Sequence, residues 1–344
     1  KMTGYGSYTP SYGYHLAISS KFLLISQREG HVDVFKKTDN VDEWVFKTRI
    51  NKNSAGQSDP SLSFFGAGMA IYNDTTIIIG SPRLTDDSTT YPNGQGGFIP
   101  YTTSDGGSSW TKGTIVYTSS SQNNAFFGQY LSVYGNYIAV AEKNKTNAGT
   151  SNTGIGYIYK TSDSGVSWTE QDSLLPATVP PSYASNVPSI YNNYAFFNNV
   201  NSSECYAWKK QDNSESWDEV AKITQHESSG SFPQFGKAVS VYGNYLVISN
   251  TRMDSANNHG AAYVYKLTSG GSNIPPPDTS SEDTAATNAG VSNSNISTIK
   301  TRSDAMTQGS TVNLADMSIN SSAKRHSILT LLFARNSSVT KFKV

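Results

Sequence analysis

The sequence has little cysteine, little charge and no long hydrophobic run. Cys205 is the one cysteine among 344 residues, so no disulfide can form within the chain and stability must come from packing. No run of about 18 apolar residues occurs, so no membrane-spanning helix is predicted. The 26 basic and 26 acidic residues balance, which gives no electrostatic reason to expect nucleic acid as a partner.

Aromatic residues and glycine are plentiful instead, with 21 tyrosines, 14 phenylalanines and 28 glycines, a composition that favours strands and turns. They recur in related segments. FGQYLSVYGNYIAVAE begins at Phe127, and FGKAVSVYGNYLVISN begins at Phe235. Looser copies bring the number of segments to five, near residues 12–50, 65–117, 127–175, 183–223 and 235–267. In four of them an aromatic residue is followed by an opening glycine: Gly13, Gly66, Gly128 and Gly236.

Each segment predicts the same four strands. An alternating strand is followed by a short turn, a continuous apolar strand, a strand with alternating aromatics and a last strand that tryptophan begins. No segment has a helical 3.6-residue period over ten or more residues, which argues against helical repeats. We therefore predict an all-β propeller of about five four-stranded blades over residues 1–268.

Two copies of one octet lie before the predicted last strands, TSDGGSSW at residues 103–110 and TSDSGVSW at 161–168. They resemble the Asp box of sialidases. In such a turn the aspartate accepts hydrogen bonds from backbone amides, glycine takes a positive φ and tryptophan packs beneath. A structural role is the preferred interpretation. The predicted Asp-box residues, including two degenerate copies, are Asp39, Trp44, Asp105, Gly107, Trp110, Asp163, Gly165, Trp168, Asp212 and Trp217. We expect the four tryptophans to be buried at equivalent positions.

The repeats as a whole resemble FG-GAP repeats, a group that includes the propellers of integrin α-subunits. The resemblance covers roughly Tyr12 to Leu267 and is strongest in the third and fifth segments. It implies an extracellular or particle-surface propeller that is used for binding. It also implies Ca²⁺ loops between the first two strands, but here that turn carries at most one carboxylate, so we expect no metal and no cofactor.

An enzymatic interpretation needs more than Asp boxes. A sialidase-like site uses an arginine cluster for the substrate carboxylate, together with a tyrosine nucleophile beside a glutamate base. The repeats hold four arginines, Arg28, Arg49, Arg83 and Arg252. We therefore expect that the chain is not an enzyme, while a carbohydrate-binding protein or a sialidase-like glycoside hydrolase stays open as the alternative.

Residues 269–344 differ from the repeats in being rich in Ser, Thr, Asn and Pro, which predicts a linker and an extended, mostly irregular C-terminal arm. One apolar cluster near the end is predicted to anchor the arm on neighbouring subunits: Ile328, Leu329, Leu331, Leu332 and Phe333. The fifth segment lacks a strand that begins with tryptophan. The arm could therefore instead fold back and supply that strand.

These features together predict a non-catalytic structural or adhesive propeller. Its partners would be other protein subunits of a larger assembly, with glycans as a further possibility. Nucleic acid and a membrane span are not expected. The predicted location is extracellular, on a cell surface or a virus-like particle.

Overall fold

The structure is a computed structural model in which every regular element of the described residues is a β-strand. It divides the chain into two compact units, Lys1–His226 and Glu227–Val344. The residues it describes are 2–3, 12–27, 30–38, 43–51, 64–85, 94–146, 153–177, 187–199, 203–224, 235–250, 261–266, 311–313 and 341–343.

The first unit contains four antiparallel sheets in sequence order. The first sheet holds β1 (Met2–Thr3), β2 (Tyr12–Ile18), β3 (Phe22–Gln27), β4 (His31–Lys37) and β5 (Trp44–Asn51). The second holds β6 (Met69–Ile71), β7 (Thr76–Ser81), β8 (Gly97–Thr102) and β9 (Thr111–Lys112). The third holds β10 (Phe127–Tyr134), β11 (Tyr137–Glu142), β12 (Ile155–Lys160) and β13 (Thr169–Leu174). The fourth holds β14 (Pro188–Tyr191), β15 (Tyr194–Asn199), β16 (Glu204–Lys210) and β17 (Trp217–Thr224).

Each of the four sheets is a meander in which sequential strands are neighbours. The first sheet has one addition, because the N-terminal strand β1 pairs in parallel with the outer strand β5. The continuous apolar run that comes second in a segment is covered on both faces in the second, third and fourth segments. Every residue of β7 is buried, and in β11 and β15 all but the first residue are buried.

Successive sheets of the first unit pack through clusters of aromatic and aliphatic side chains. Between the second and third sheets, Phe98 lies 5.4 to 6.4 Å from the rings of Phe127, Tyr159 and Trp168, measured between centroids. A four-stranded sheet that is apolar on both faces buries these faces by packing against its neighbouring sheets.

The opening glycines have a common backbone conformation. Gly13, Gly66, Gly128 and Gly236 have φ between +82° and +85°, a region that favours glycine. In the first, third and fifth segments the strand register shifts directly after the opening aromatic residue, as a β-bulge does. At Gly128 a Cβ atom would come within 2.4 Å of the Gly97 carbonyl oxygen, so close approach of two strands also requires glycine.

The second unit contains a fifth sheet of three antiparallel strands, β18 (Phe235–Tyr242), β19 (Tyr245–Asn250) and β20 (Ala261–Lys266). Two short strands, β21 (Thr311–Asn313) and β22 (Lys341–Lys343), pair in parallel. The predicted boundary between residues 268 and 269 falls inside this unit. The predicted anchor at residues 328–333 lies outside the described residues.

The predicted fold class is confirmed. The described chain is all-β, with five sheets of four or three antiparallel strands in the connectivity of propeller blades.

Candidate functional site

The octet of the second sheet forms a tight turn around one carboxylate. Asp105 Oδ1 accepts the backbone N–H groups of Ser108 at 2.9 Å and Ser109 at 3.0 Å, and Oδ2 accepts the Ser109 hydroxyl at 2.6 Å. Thr103 donates its hydroxyl to the same carboxylate at 2.8 Å and accepts the Gly107 N–H at 3.0 Å. These hydrogen bonds, first those from Ser109, hold the pKa of Asp105 well below its usual range.

The octet of the third sheet repeats this arrangement. Asp163 accepts the Ser167 N–H at 2.9 Å and the Ser167 hydroxyl at 2.5 Å, and the Thr161 hydroxyl donates to it at 2.7 Å. Hydrogen bonds from Ser167 lower the pKa of Asp163 to about 2. The Trp168 indole N–H donates to the Gly165 carbonyl at 3.0 Å, which fixes the ring beneath the turn.

Each of these turns reaches back to the sheet that precedes it. The Ser164 carbonyl accepts hydrogen bonds from Asn73 Nδ2 at 3.3 Å and Thr76 Oγ1 at 3.1 Å, both in the second sheet. A Cβ atom on Gly165 would lie 2.6 Å from the ring of Tyr72. The tryptophan rings make edge contacts in the same direction: Phe22–Trp110 at 5.5 Å, Tyr72–Trp168 at 5.4 Å and Tyr137–Trp217 at 6.0 Å. The Asp-box turns therefore join successive sheets.

The degenerate turn of the fourth sheet achieves the same contact with a different residue. Asp212 is exposed, and Glu215 accepts hydrogen bonds from Tyr137 Oη and Lys160 Nζ of the third sheet, both at 2.8 Å. Trp217 is buried beside Tyr137. The acidic residue three positions after Asp212 was not recognised in the sequence, although its place in the turn is a usable signal.

The repeat predicts that the four tryptophans are equally buried, but they are not. Trp168 and Trp217 are 7% and 5% exposed, whereas Trp110 and Trp44 are only partly buried. Trp44 is the first residue of β5 in the first sheet. No described sheet precedes this sheet in its unit, so none is placed to contact the Trp44 ring. Asp39, its predicted partner, lies outside the described residues.

Sequence reasoning missed a row of buried polar residues at the ends of the second strands. In the first unit they are Gln27, Ser81, Glu142 and Asn199, and Asn250 holds this position in the fifth sheet. All are at most 2% exposed. The sequence pattern that indicates this row is a polar residue at the end of each apolar run, at the same place in every repeat.

Glu142 carries the most developed network of this row. Tyr157 Oη donates to Glu142 Oε2 at 2.6 Å, and Lys145 Nζ lies 3.6 Å from the same oxygen. Ser120 Oγ connects the two partners, 2.9 Å from Tyr157 Oη and 3.2 Å from Lys145 Nζ. Burial raises the pKa of Glu142 to about 7, although Tyr157 and Lys145 act in the opposite direction. Glu142 and Tyr157 are both fully buried, so this network lies in the interior of the sheet.

The arginines that a sialidase-like site requires do not converge among the described residues. Arg49 binds Asp33 with two hydrogen bonds, at 2.7 and 3.0 Å. Arg83 lies between the rings of Phe64 and Phe126, 5.1 and 5.4 Å from their centroids. Arg28 and Arg252 lie outside the residues that the structure describes.

The described part of the chain contains no group of three or more His, Cys, Asp or Glu side chains placed to hold a metal ion. It contains no helix long and apolar enough to cross a membrane.

One face of β2 carries large exposed apolar side chains. Tyr14, Leu16 and Ile18 alternate along this strand and are 48%, 64% and 68% exposed. Residues two apart share a face of a strand, so the three side chains form one continuous strip. The strip lies on β2, which is at one edge of the first sheet. We name Tyr14, Leu16 and Ile18 the β2 strip.

Known proteins resemble the chain in one repeat and in fold. Residues 217–265 match the family model of the FG-GAP repeat. No curated protein matches the chain. A solved structure from Lactobacillus plantarum is 16% identical with a TM-score of 0.48, and the match covers 75% of this chain and 67% of that one.

Two further similar structures are named as lactonases. The periplasmic gluconolactonase of Pseudomonas aeruginosa is 10% identical with a TM-score of 0.46, covering 73% of this chain and 68% of that one. A putative 6-phosphogluconolactonase from Bacteroides uniformis is also 10% identical with a TM-score of 0.46, covering 76% and 69%.

The expectation that the chain is not an enzyme is corrected by these two structures. The missing arginine cluster argues only against a sialidase-like carboxylate pocket, whereas one fold can hold sites of quite different chemistry. The prediction of the repeat family is confirmed where the family model matches. The chain carries an FG-GAP repeat over residues 217–265, within an all-β fold of propeller blades.

Proposed function

We propose that the chain is a structural or adhesive module that joins copies of itself into a larger assembly outside the cell or on a particle surface. The observation that carries this proposal is the β2 strip. Three large apolar side chains on one strand face are unfavourable in water, and soluble proteins use such patches as interaction sites. FG-GAP repeats are typically extracellular, which supports the location.

The C-terminal arm is the second part of the chain that we propose to contact a neighbouring copy. We place the propeller at residues 1–268 and the arm at 269–344, with the cluster Ile328, Leu329, Leu331, Leu332 and Phe333 as its anchor on a neighbouring copy. Each aliphatic side chain that becomes buried contributes roughly 1.5–3 kcal/mol.

Sedimentation velocity of the full chain over a range of concentrations tests this proposal. We expect oligomers whose proportion rises with concentration. The double variant Leu16→Ser with Ile18→Ser should shift the equilibrium towards monomer. Val220→Ser is the matched control, because Val220 is a 50% exposed apolar residue on β17, away from the strip.

Deletion of residues 269–344 completes the test. We expect this variant to keep the circular dichroism of folded β-sheet and to sediment as a monomer. A full chain that is monomeric at every concentration would refute the assembly. Unfolding of the deletion variant would show that the arm belongs to its own propeller.

A further inference from the structure

In three of the five segments the first strand ends in a tyrosine at an exposed turn. β10 ends at Tyr134, β14 at Tyr191 and β18 at Tyr242. Tyr134 is 37% exposed, Tyr242 is 78% exposed and Tyr191 is half-buried. A single exposed aromatic side chain is ordinary in a protein, but exposure at the same position of separate repeats indicates a use for the ring.

Two of these tyrosines form one aromatic surface in the first unit. β10 and β14 lie side by side, and Ser132 Oγ accepts the backbone N–H of Ile190 at 3.2 Å between them. The ring centroids of Tyr134 and Tyr191 are 4.3 Å apart, and the ring planes are inclined by 43°. We name Tyr134 and Tyr191 the tyrosine pair.

The turns that follow the tyrosine pair are held by the backbone. Gly135 and Asn192 have φ of +54° and +53°, the left-handed conformation of tight hairpin turns. The Asn136 carbonyl accepts the Thr161 N–H at 3.0 Å, and the Asn193 carbonyl accepts the N–H of the last residue of β16 at 2.8 Å. The site is therefore ordered before a ligand binds, which lowers the entropy loss on binding.

Uncharged amide side chains flank the pair. Asn136, Asn192 and Asn193 are all exposed. Asn136 Oδ1 accepts the Tyr72 hydroxyl at 2.9 Å, so its amino group is left as a donor. Within the described part of the chain, the side chains of Asn192 and Asn193 form no hydrogen bond. The three amides thus offer donors and acceptors without charge.

The turns at this end of the second, third and fourth sheets all belong to the described residues. They are the hairpin turns 72–76, 134–137 and 191–194 and the Asp-box turns 103–110, 161–168 and 211–217. The connections of these sheets that are not described join the other ends of their strands. The exposure of the tyrosine pair is therefore seen beside its own neighbouring turns.

We propose that the tyrosine pair binds a neutral pyranose. One face of a pyranose ring consists of C–H groups and packs on an aromatic ring, while its hydroxyl groups exchange hydrogen bonds with the asparagine amides. A protein partner fits less well. A stable protein interface covers roughly 800 Å² of each partner, whereas one aromatic side chain supplies about 150–250 Å² even when it is fully buried. The proposal does not depend on the β2 strip.

Saturation-transfer difference NMR of the full chain tests this proposal. The probes are methyl β-galactopyranoside, methyl β-glucopyranoside and diacetylchitobiose, and sorbitol is the control because it has hydroxyl groups but no ring. We expect at least one pyranose to bind, with the strongest saturation on the C–H groups of one ring face, and no binding of sorbitol.

Substitutions of Tyr134 locate the site. Tyr134→Ala should weaken binding about tenfold, equivalent to about 1.4 kcal/mol. Tyr134→Phe keeps the ring and should stay within about twofold of the natural chain. Tyr14→Ala is the matched control, because Tyr14 is a 48% exposed tyrosine on another first strand, and it should leave binding unchanged.

A second variant tests the amides without removing a ring. Asn192→Gly keeps the left-handed turn, since glycine accepts a φ of +53°, and should weaken binding about threefold. Asn124→Gly is its control. Asn124 is also exposed with a φ of +60°, but it lies before the other end of β10, so this variant should bind as the natural chain does.

Three results would overturn the proposal: no saturation transfer to any of the three sugars at about 50 mM, an equal effect on sorbitol, or binding that Tyr134→Ala and Asn192→Gly leave unchanged. If Tyr134→Ala instead shifts the sedimentation equilibrium without affecting sugar, the pair contacts protein and the proposal is refuted. The double variant Leu16→Ser with Ile18→Ser should keep its sugar binding, so the assembly proposal and this one fail separately.

Discussion

Replacing Glu142 by glutamine should change how the stability of the fold depends on pH. The side chain is fully buried, and burial raises its pKa from an ordinary 4.5 to about 7. The folded protein therefore holds a proton between these two values that the unfolded chain has released. The resulting stabilisation is fully present below pH 4.5 and is lost as the pH rises through 7.

The size of the effect follows from the two pKa values. Going from pH 5 to pH 8, the contribution of Glu142 to the free energy of unfolding falls by about 2–3 kcal/mol. Glutamine has nearly the same shape and does not titrate. The unfolding free energy of Glu142→Gln, relative to the natural chain, should therefore rise by that amount over this pH range.

Urea unfolding followed by tryptophan fluorescence at pH 5, 6, 7 and 8 measures this difference. Taking the difference between two proteins cancels other titrating groups, including His15, whose pKa is lowered by burial and whose effect has the opposite sign. Glu170→Gln is the control, because Glu170 also accepts a tyrosine hydroxyl but is partly exposed. A pH-independent difference for Glu142→Gln, or one of opposite sign, would mean that Lys145 and Tyr157 keep this carboxylate ionised.

Three further predictions concern the Asp-box turns. Trp168→Ala should lower the free energy of unfolding by roughly 3–5 kcal/mol and Trp110→Ala by less than half of that, because Trp168 is buried and Trp110 is partly exposed; equal losses in urea unfolding would contradict this. Gly165→Ala should cost about 1–3 kcal/mol, since φ is +89° and the added Cβ would meet Tyr72 at 2.6 Å; an unchanged melting temperature would refute the packing described. Asp163→Asn should destabilise at pH 7 but little at pH 2, because stabilisation by the ionised carboxylate is present above pH 3.8 and is lost as the pH falls through about 2; destabilisation that is equal at both pH values would count against this.

The repeat pattern was sufficient to predict the fold because it encodes strand period and turn chemistry locally. Phe127 with Gly128 specifies the bulge that opens a strand, and the octet before Trp168 specifies its own turn through Asp163. None of these features needs information from distant residues. The number of sheets and their order along the chain follow directly from them.

The contacts between sheets could not be predicted in the same way. That Trp168 packs on Tyr72 depends on how one sheet stacks on the next, which the spacing of either motif leaves open. The exposure of Leu16 and Ile18 was missed because they alternate with Gly13, His15 and Ala17, a pattern that predicts burial of the face that the structure leaves exposed.

The direction of the Asp-box contacts has a consequence for biosynthesis. In the second, third and fourth sheets, the turn precedes the last strand of its own sheet and contacts a hairpin that lies earlier in the chain. Ser164, for example, accepts hydrogen bonds from Asn73 and Thr76. When a sheet leaves the ribosome, the hairpin that receives its turn has therefore already been synthesised. Domains and their parts fold from the N-terminus during translation. We expect the second, third and fourth sheets to dock one after another in the order of synthesis, so that stalled chains of increasing length gain protease resistance in three steps.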